Sequence, residues 1–405
     1  MLSVEQATGL VESHVQALAQ MDVSLAEAFG RIVAMDLQVP FPSPRFDKSM
    51  MDGFGVRCRD FVDHSQRRLP VVRTITAGMT SSKPVSDEAA VRIMTGAVVP
   101  PGIDCVVPIE HVAFDESDPG EVTVSSDKVR SEGNILRKGS LAEPGDVLLF
   151  SGTEIGPQHI AVLAEFGFDP IPVFRRPAIA VLATGNELVD VGNPLGPGQI
   201  YNSNQPTLLA QSRQAGCFAT SLGVVADDRE QLQAAIRQGL QHDILLLSGG
   251  VSAGTLDLVP AELAAAGVEC IFHKVAMKPG KPVWFGRWND GDRTCLVFGL
   301  PGNPVSTMVC FEVFVKAAIN AMTGRSIAKA VSAKAVLQQE LSLKGDRFTY
   351  LPARVQWSAG EYVVCSVNWA GSADVRSTAN ANCLIPLHPE MGPWPAGTKV
   401  PVIPW

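Results

Sequence analysis

Three glycine-rich turns adjoin apolar runs between residues 243 and 306: DILLLSGGVSAGTLD, KVAMKPGKPVWF and CLVFGLPGNPVS. Each run has the length and composition of a buried strand, and each turn frees several backbone N–H groups to converge where no side chain intervenes. Such turns suit an oxyanion, phosphate above all. Lys274, Lys278 and Lys281 add positive charge at the second turn, and Asp257 follows the first closely enough to hold a divalent cation. One turn would carry little, because Gly-Gly and Pro-Gly end many strands for structural reasons alone. Three with lysines indicate a site.

The region around these turns alternates regularly. From Pro177 the chain reads as strand (AIAVLATG), helix (NQPTLLAQSRQAG, with Asn204 as N-cap candidate), strand (ATSLGVVAD), helix (REQLQAAIRQGL) and strand (DILLLSGG). That order predicts a parallel sheet with ligands at the carboxyl ends of its strands, where the turns lie. Upstream, Ser3 with Gln6 and Ser24 with Glu27 form two capping-box patterns that predict two opening helices. Short runs such as PVVRTIT and CVVPI then replace helical periodicity with β-rich segments. The helical GPQHIAVLAEFGF follows, so the β block reads as an insertion. Residues after the helix VSTMVCFEVFVKAAINAM predict a small C-terminal β-barrel.

The expected fold class is therefore multidomain α/β and β: a central three-layer α/β domain with a mostly parallel sheet, an inserted β domain and a C-terminal small β-barrel. The expected boundaries are 1–45 with 142–176, 46–141, 177–326 and 327–405.

Composition removes several alternatives. A net charge of −8 on 405 residues argues against nucleic acid as the main partner. The eight cysteines lie far apart with no C-x-x-C pair, which predicts reduced, mostly buried thiols. The first residues lack a secretory pattern and no run approaches about 20 apolar residues, so a cytoplasmic protein with no membrane partner is expected. The seven histidines are scattered, and none is proposed as catalytic.

Several candidates carry competing structural roles. Asp52 in MDGF reads equally as a turn residue and as a ligand. Asp227 and Asp228 precede a helix, where one of them is expected as N-cap. Glu187 has less structural reason for its place after ATGN. Ser306 reads first as a capping residue and second as an anion contact.

Read in order, FDKSMMDGFGV, RIMTGAVVP, GNILRKG, ATGNELV, GQIYNSN, SGGVSAGTLD, KPGKP and LPGNPVS closely resemble the molybdopterin molybdenumtransferases, including the E domain of gephyrin. The resemblance spans nearly the whole chain. It implies a homodimeric, Mg2+-dependent enzyme that cleaves adenylylated molybdopterin and inserts molybdate into the dithiolene, with other cofactor-biosynthesis proteins as further partners. It marks Asp52, Glu187, Asp227, Asp257, Lys274 and Lys278 as catalytic, with Asp52, Glu187 and Asp257 as metal ligands. Thr95, Gly249, Gly250, Ser252, Lys278, Lys281, Pro301, Gly302, Asn303 and Ser306 are the implied molybdopterin contacts.

Two positions depart from the family pattern. Ser140-Leu141 replaces an acidic pair, and Asn202 replaces an Asp. These changes keep open a paralogue that binds molybdopterin without inserting metal, with Glu143 as a compensating carboxylate in the enzyme reading. A scaffold role is the third alternative.

Overall fold

The computed structural model describes residues 1–79, 83–118, 120–226, 228–250, 258–325 and 333–405. The chain forms two compact units. One comprises Met1–Met35, Ser151–Ala164 and Phe168–Trp405; the other comprises Asp36–Phe150 and Glu165–Gly167.

The larger unit is built on a six-stranded sheet. Its strands are β1 (Ala178–Thr184), β2 (Phe218–Val225), β3 (Ile244–Ser248), β4 (Glu269–His273), β5 (Trp284–Asn289) and β6 (Thr294–Leu300), in the spatial order β2-β1-β3-β6-β5-β4. The first four in that order are parallel; β5 runs antiparallel to both β6 and β4. Alternate residues serve opposite faces, as the pleat requires. Ile179, Val181, Ile244, Leu246, Leu296 and Phe298 enter one core, whereas Ala180, Leu182, Leu245, Leu247, Cys295 and Val297 enter another. Helices must then cover both faces, and a run such as ILLLS is buried at every position for that reason.

The second core is covered by α3 (Arg229–Gly239) and α4 (Val259–Ala265). The first is covered by α1 (Val4–Ser13), α2 (Asn204–Gln214) and α5 (Pro304–Met322). Fully buried aliphatic side chains such as Val11, Leu208 and Val309 each contribute about 1.5–3 kcal/mol of transfer free energy. Helix α5 contains one π turn, Phe311–Val315, and is long and apolar enough to cross a membrane by length and composition. Its buried Val305, Phe311, Phe314 and Ile319 instead belong to the sheet's core.

Both capping boxes form, with different results. Ser3 Oγ accepts from Gln6 N–H, and the Gln6 side chain accepts from Ser3 N–H at 2.9 Å, opening α1. The second expected helix is only a 3-10 turn, Leu25–Glu27. Residues Gln20–Val23 are already paired with Ile171–Phe174, and Gly30 turns the chain at positive φ soon after. A further departure concerns α1, which packs into the central sheet's core although its residues were expected to join segment 142–176. Its Val4, Ala7 and Val11 stripe fits the apolar face of that sheet.

At the C-terminus, strands β7 (Ala333–Leu337), β8 (Phe348–Ser358), β9 (Glu361–Ser366), β10 (Cys383–Leu387) and β11 (Lys399–Pro404) pair in the ring β8-β9-β7-β11-β10-β8. This closed five-stranded barrel has Ala353, Val364, Cys383 and Ile385 fully buried inside it.

The smaller unit carries a six-stranded sheet in the order Cys105–Pro108, Gly53–Val56, Ala90–Ile93, Gln66–Ile75, Glu121–Ser125, Val112–Phe114. Gly53–Val56 is buried throughout. A Cβ on Gly53 would lie 2.1 Å from the Val107 carbonyl oxygen, so only glycine allows the two strands to approach this closely.

Candidate functional site

The strand order places a reversal between β1 and β3, the position where open α/β sheets bind ligands. Thr184 ends β1 and Ser248 ends β3, each followed by glycine. Gly249 and Gly250 hold φ of 96° and 65°, conformations that side chains resist. Space forbids a side chain as well: a Cβ on Gly249 would lie 2.6 Å from the Thr184 carbonyl oxygen, and one on Gly250 would lie 2.6 Å from Val259 Cγ2. Thr184 is 5% exposed, and its buried hydroxyl has no hydrogen-bond partner among the described residues.

The LPGNP turn reaches the same edge, because β6 is the parallel neighbour of β3 and Ser248 lies opposite Leu300. Gly249 N–H donates to the Leu300 carbonyl at 3.2 Å. Asn204 ties the two turns together, its Nδ2 donating at 2.8 Å to both Ser248 Oγ and the Gly302 carbonyl. The expected cap role of Asn204 belongs instead to Ser203, so Asn204 is the first helical residue and its side chain is released to cross the edge. At the start of α5 the cap is Asn303, which donates from Nδ2 to Ser372 Oγ at 3.0 Å. Ser306, expected first as a cap, lies inside the helix and is 3% exposed.

The KPGKP turn arrives by a different route from the one expected. It precedes a strand rather than ending one. Because β5 is antiparallel, its first residue Trp284 pairs with Gly299 near the end of β6, which brings the turn to the same edge. Lys274 sits at φ 74°, in the left-handed region, and the loop closes on itself through Lys274 N–H to Val283 O and Val275 N–H to Lys281 O. Met277 and Lys278 pair with Phe348 and Thr349 of the barrel. Arg347 Nη1 donates to the Met277 carbonyl at 3.4 Å. Lys278 and Lys281 are exposed, and neither forms a salt bridge among the described residues.

Glu187 is exposed beside this edge, with its carboxylate folded over Gly185, 2.5 Å from the position of a Cβ there. Asn202 is buried: its Oδ1 accepts from Gln205 N–H and its Nδ2 donates to Gln205 Oε1. The amide thus serves as both acceptor and donor at the start of α2, which a carboxylate could not do. Asp228 is the N-cap of α3, accepting from Gln231 N–H. Asp227, Ser252 and Asp257 lie outside the described residues.

In the smaller unit, Asp52 and Thr95 meet directly. Asp52 Oδ1 accepts from Thr95 N–H at 2.6 Å and from Thr95 Oγ1 at 2.7 Å. These bonds hold the exposed Asp52 carboxyl below its ordinary range, with the nearby Arg92 charge acting in the same direction. The Asp52 carboxylate thus ties its own segment to the distant Thr95 rather than closing its own turn. Leu141 is exposed, and the Glu143 carboxylate folds over Gly139, 2.1 Å from the place of a Cβ. Among the described residues, no group of three His, Cys, Asp or Glu side chains could hold a metal ion.

Concavity alone would have pointed elsewhere. A cleft of about 330 Å³ opens at the opposite, amino-terminal edge of the sheet, lined by Gln16, Arg175, His242, Asp243 and Arg293 among others. Convergent chemistry favours the carboxyl edge. Sequence reading missed Thr184, Asn204, Arg347 and Ser372, whose roles arise from contacts with distant segments.

A sheet reversal edged by glycine turns and by lysines without a salt bridge among the described residues is an arrangement suited to anionic small molecules. Comparison with known proteins makes this specific. Residues 2–167 match the MoeA N-terminal region (domain I and II), residues 180–321 a probable molybdopterin binding domain, and residues 334–405 the MoeA C-terminal region (domain IV). The molybdopterin molybdenumtransferase of Bacillus subtilis (strain 168) is 36% identical over 382 residues, covering 93% of this chain and 86% of the relative. That of Staphylococcus aureus (strain Mu50) is 35% identical over 407 residues, covering 99% and 95%. The crystal structure of a molybdopterin biosynthesis MoeA protein from Pyrococcus horikosii superposes with a TM-score of 0.81 at 29% identity, over 99% of this chain and 98% of that one. The chain belongs to the molybdopterin molybdenumtransferase family, transferases of molybdenum cofactor biosynthesis.

Proposed function

We propose that the carboxyl edge of the central sheet binds adenylylated molybdopterin, and that the protein cleaves its pyrophosphate bond and inserts molybdate into the dithiolene. The carrying observation is the convergence of three glycine turns at one sheet edge with Lys278 and Lys281, which no described carboxylate neutralises. Backbone donors and fixed cations at such an edge stabilise charge on phosphoryl oxygens without reorganising. In this reading Gly249, Gly250, Pro301, Gly302 and Asn303 line the phosphate path with Ser252 and Ser306 as further contacts, and Thr95 is a separate molybdopterin-contact candidate on the smaller unit. Lys278 and Lys281 hold the anion. Lys274, Asp52, Glu187, Asp227 and Asp257 serve the transfer.

Mg2+ belongs to the proposal as the ion that accompanies a pyrophosphate, with Glu187 and Asp257 as candidate carboxylates of the larger unit and Asp52 as a separate candidate on the smaller unit. The described carboxylates do not by themselves enclose a cation, so no step is assigned to it. The proposal also includes a homodimer and transfer of product to other proteins of cofactor biosynthesis. A reducing, cytoplasmic setting is supported by eight free cysteines, five of them buried.

The test is direct. Pure protein is incubated with adenylylated molybdopterin, Mg2+ and molybdate, and both AMP release and molybdenum cofactor are measured. Formation of both is expected. AMP without metal insertion would overturn the insertion step, and neither product would overturn the whole reading.

A further inference from the structure

Four arginines converge far from the carboxyl edge. Arg31, Arg175, Arg176 and Arg325 line a small cleft, of about 20 Å³, formed also by Gly30, Phe174, Ala215, Gly216 and Thr323. Pro177 leads into β1 and Gly216 into β2, so the cleft lies at the amino-terminal edge of the sheet. The length of β1 separates it from the glycine turns, on the order of 20 Å.

Two of the four guanidiniums are neutralised. Arg175 pairs with Asp243 through both terminal nitrogens, at 2.6 and 2.5 Å, and its Nη1 also lies 3.5 Å from the Arg176 carbonyl. Arg325 meets Glu154 at 2.8 Å. The other two have no carboxylate partner among the described residues. Arg31 is only 9% exposed, and its one polar contact is Nη2 to Met21 Sδ at 3.2 Å. Arg176 lies over the Phe218 ring at 5.7 Å. In Arg31, Arg176 and Arg325 alike, the buried Nε–H has no hydrogen-bond partner among the described residues.

We propose that this cleft is a second anion site, which takes one small tetrahedral oxyanion of the sulfate, phosphate or molybdate class. Buried guanidiniums are retained where a ligand supplies the missing charge and acceptors, and their planar forks match oxyanion geometry. A water molecule would satisfy one N–H and leave the charge uncompensated. Burial first, and then the like charge of Arg176, push the Arg31 guanidinium below its ordinary value, as expected for an unfilled anion site. Glu27 acts in the other direction but less than burial and Arg176 do, and it forms no ion pair with Arg31 among the described residues. The volume admits one small species, which excludes nucleotides and the pterin.

The experiment uses the full chain. Crystals are soaked in tungstate, a tetrahedral anion with strong anomalous scattering, and thermal unfolding is followed in sulfate against chloride at equal ionic strength. Wild type should show an anomalous peak between Arg31 and Arg176 and a sulfate-specific rise in Tm. Arg176→Gln should lose the peak and weaken the sulfate midpoint about tenfold or more, the scale of one charge-assisted hydrogen bond. Lys281→Ala, at the other edge, should leave the peak between Arg31 and Arg176 unchanged. Arg31→Met, which keeps the buried stem, serves as a second variant if Arg176→Gln does not fold. Absence of the peak in wild type overturns the site. A peak between Arg31 and Arg176 that survives both arginine changes does so equally. Loss of catalytic activity in Lys281→Ala bears on the transfer reaction and not on this cleft.

Discussion

Lys278 and Lys281 are held by their loop rather than by acidic neighbours, so their charge remains available to a ligand. Replacing either by Ala should weaken molybdopterin binding by about 1–3 kcal/mol, the scale of a lost charge-assisted hydrogen bond. Calorimetry decides this, and unchanged affinity in both variants would contradict the assignment. Asp52 offers a pH test. Its folded carboxyl is depressed by the two Thr95 hydrogen bonds, so the stabilisation they give is complete at neutral pH. It is lost as pH falls below the ordinary carboxylate range and through the folded value. Thr95→Val should move the Asp52 midpoint upward, which a carboxyl-carbon NMR titration reads directly. At the family's missing acid, Glu143 lies against Gly139, two residues before the exposed Leu141. If Glu143 supplies the absent carboxylate, Glu143→Gln should cut turnover by about 10² or more. Wild-type turnover indifferent to both Glu143→Gln and Leu141→Asp would remove this position from the chemistry.

Elements set the geometry that residues exploit. The antiparallel direction of β5 determines that KPGKP meets LPGNP and SGG at one edge, and Asn204 then fastens β3 to the loop before α5. Asn204→Ala removes one part-buried and one exposed hydrogen bond. It should lower stability by about 1–2 kcal/mol, read as a reduced urea midpoint at unchanged slope, and should also weaken molybdopterin binding. A loss of stability with unaltered binding would make the tie structural only. The barrel contributes to the same edge, since β8 pairs with Met277–Lys278 and Asn303 bonds Ser372.

For the whole molecule, cores are divided among a two-faced sheet, a closed barrel and a separate six-stranded unit. Candidate carboxylates are divided in the same way: Asp52 belongs to the smaller unit and Glu187 to the larger. A homodimer is expected on the proposed reading, and light scattering at micromolar concentration should give about twice the 43.1 kDa chain mass. A monomeric mass would exclude it.

Local pattern alone determined much of this. The strand and helix order from Pro177 onward, the glycine turns and the lysines beside them were legible because pleat period, helical period and turn chemistry are properties of neighbouring residues. Tertiary structure decided the rest. Whether Ser24–Glu27 grows into a helix, which sheet α1 covers, and which edge KPGKP reaches depend on partners distant in the chain. Thr184 and Asn202 lie inside motifs legible in the sequence, but the burial of both and the pairing of Asn202 with Gln205 came only with the fold. Arg31, Arg175, Arg176 and Arg325 show the limit most plainly. They come from distant parts of the sequence and only folding brings them together, with Arg31 buried and without an ion-pair partner among the described residues.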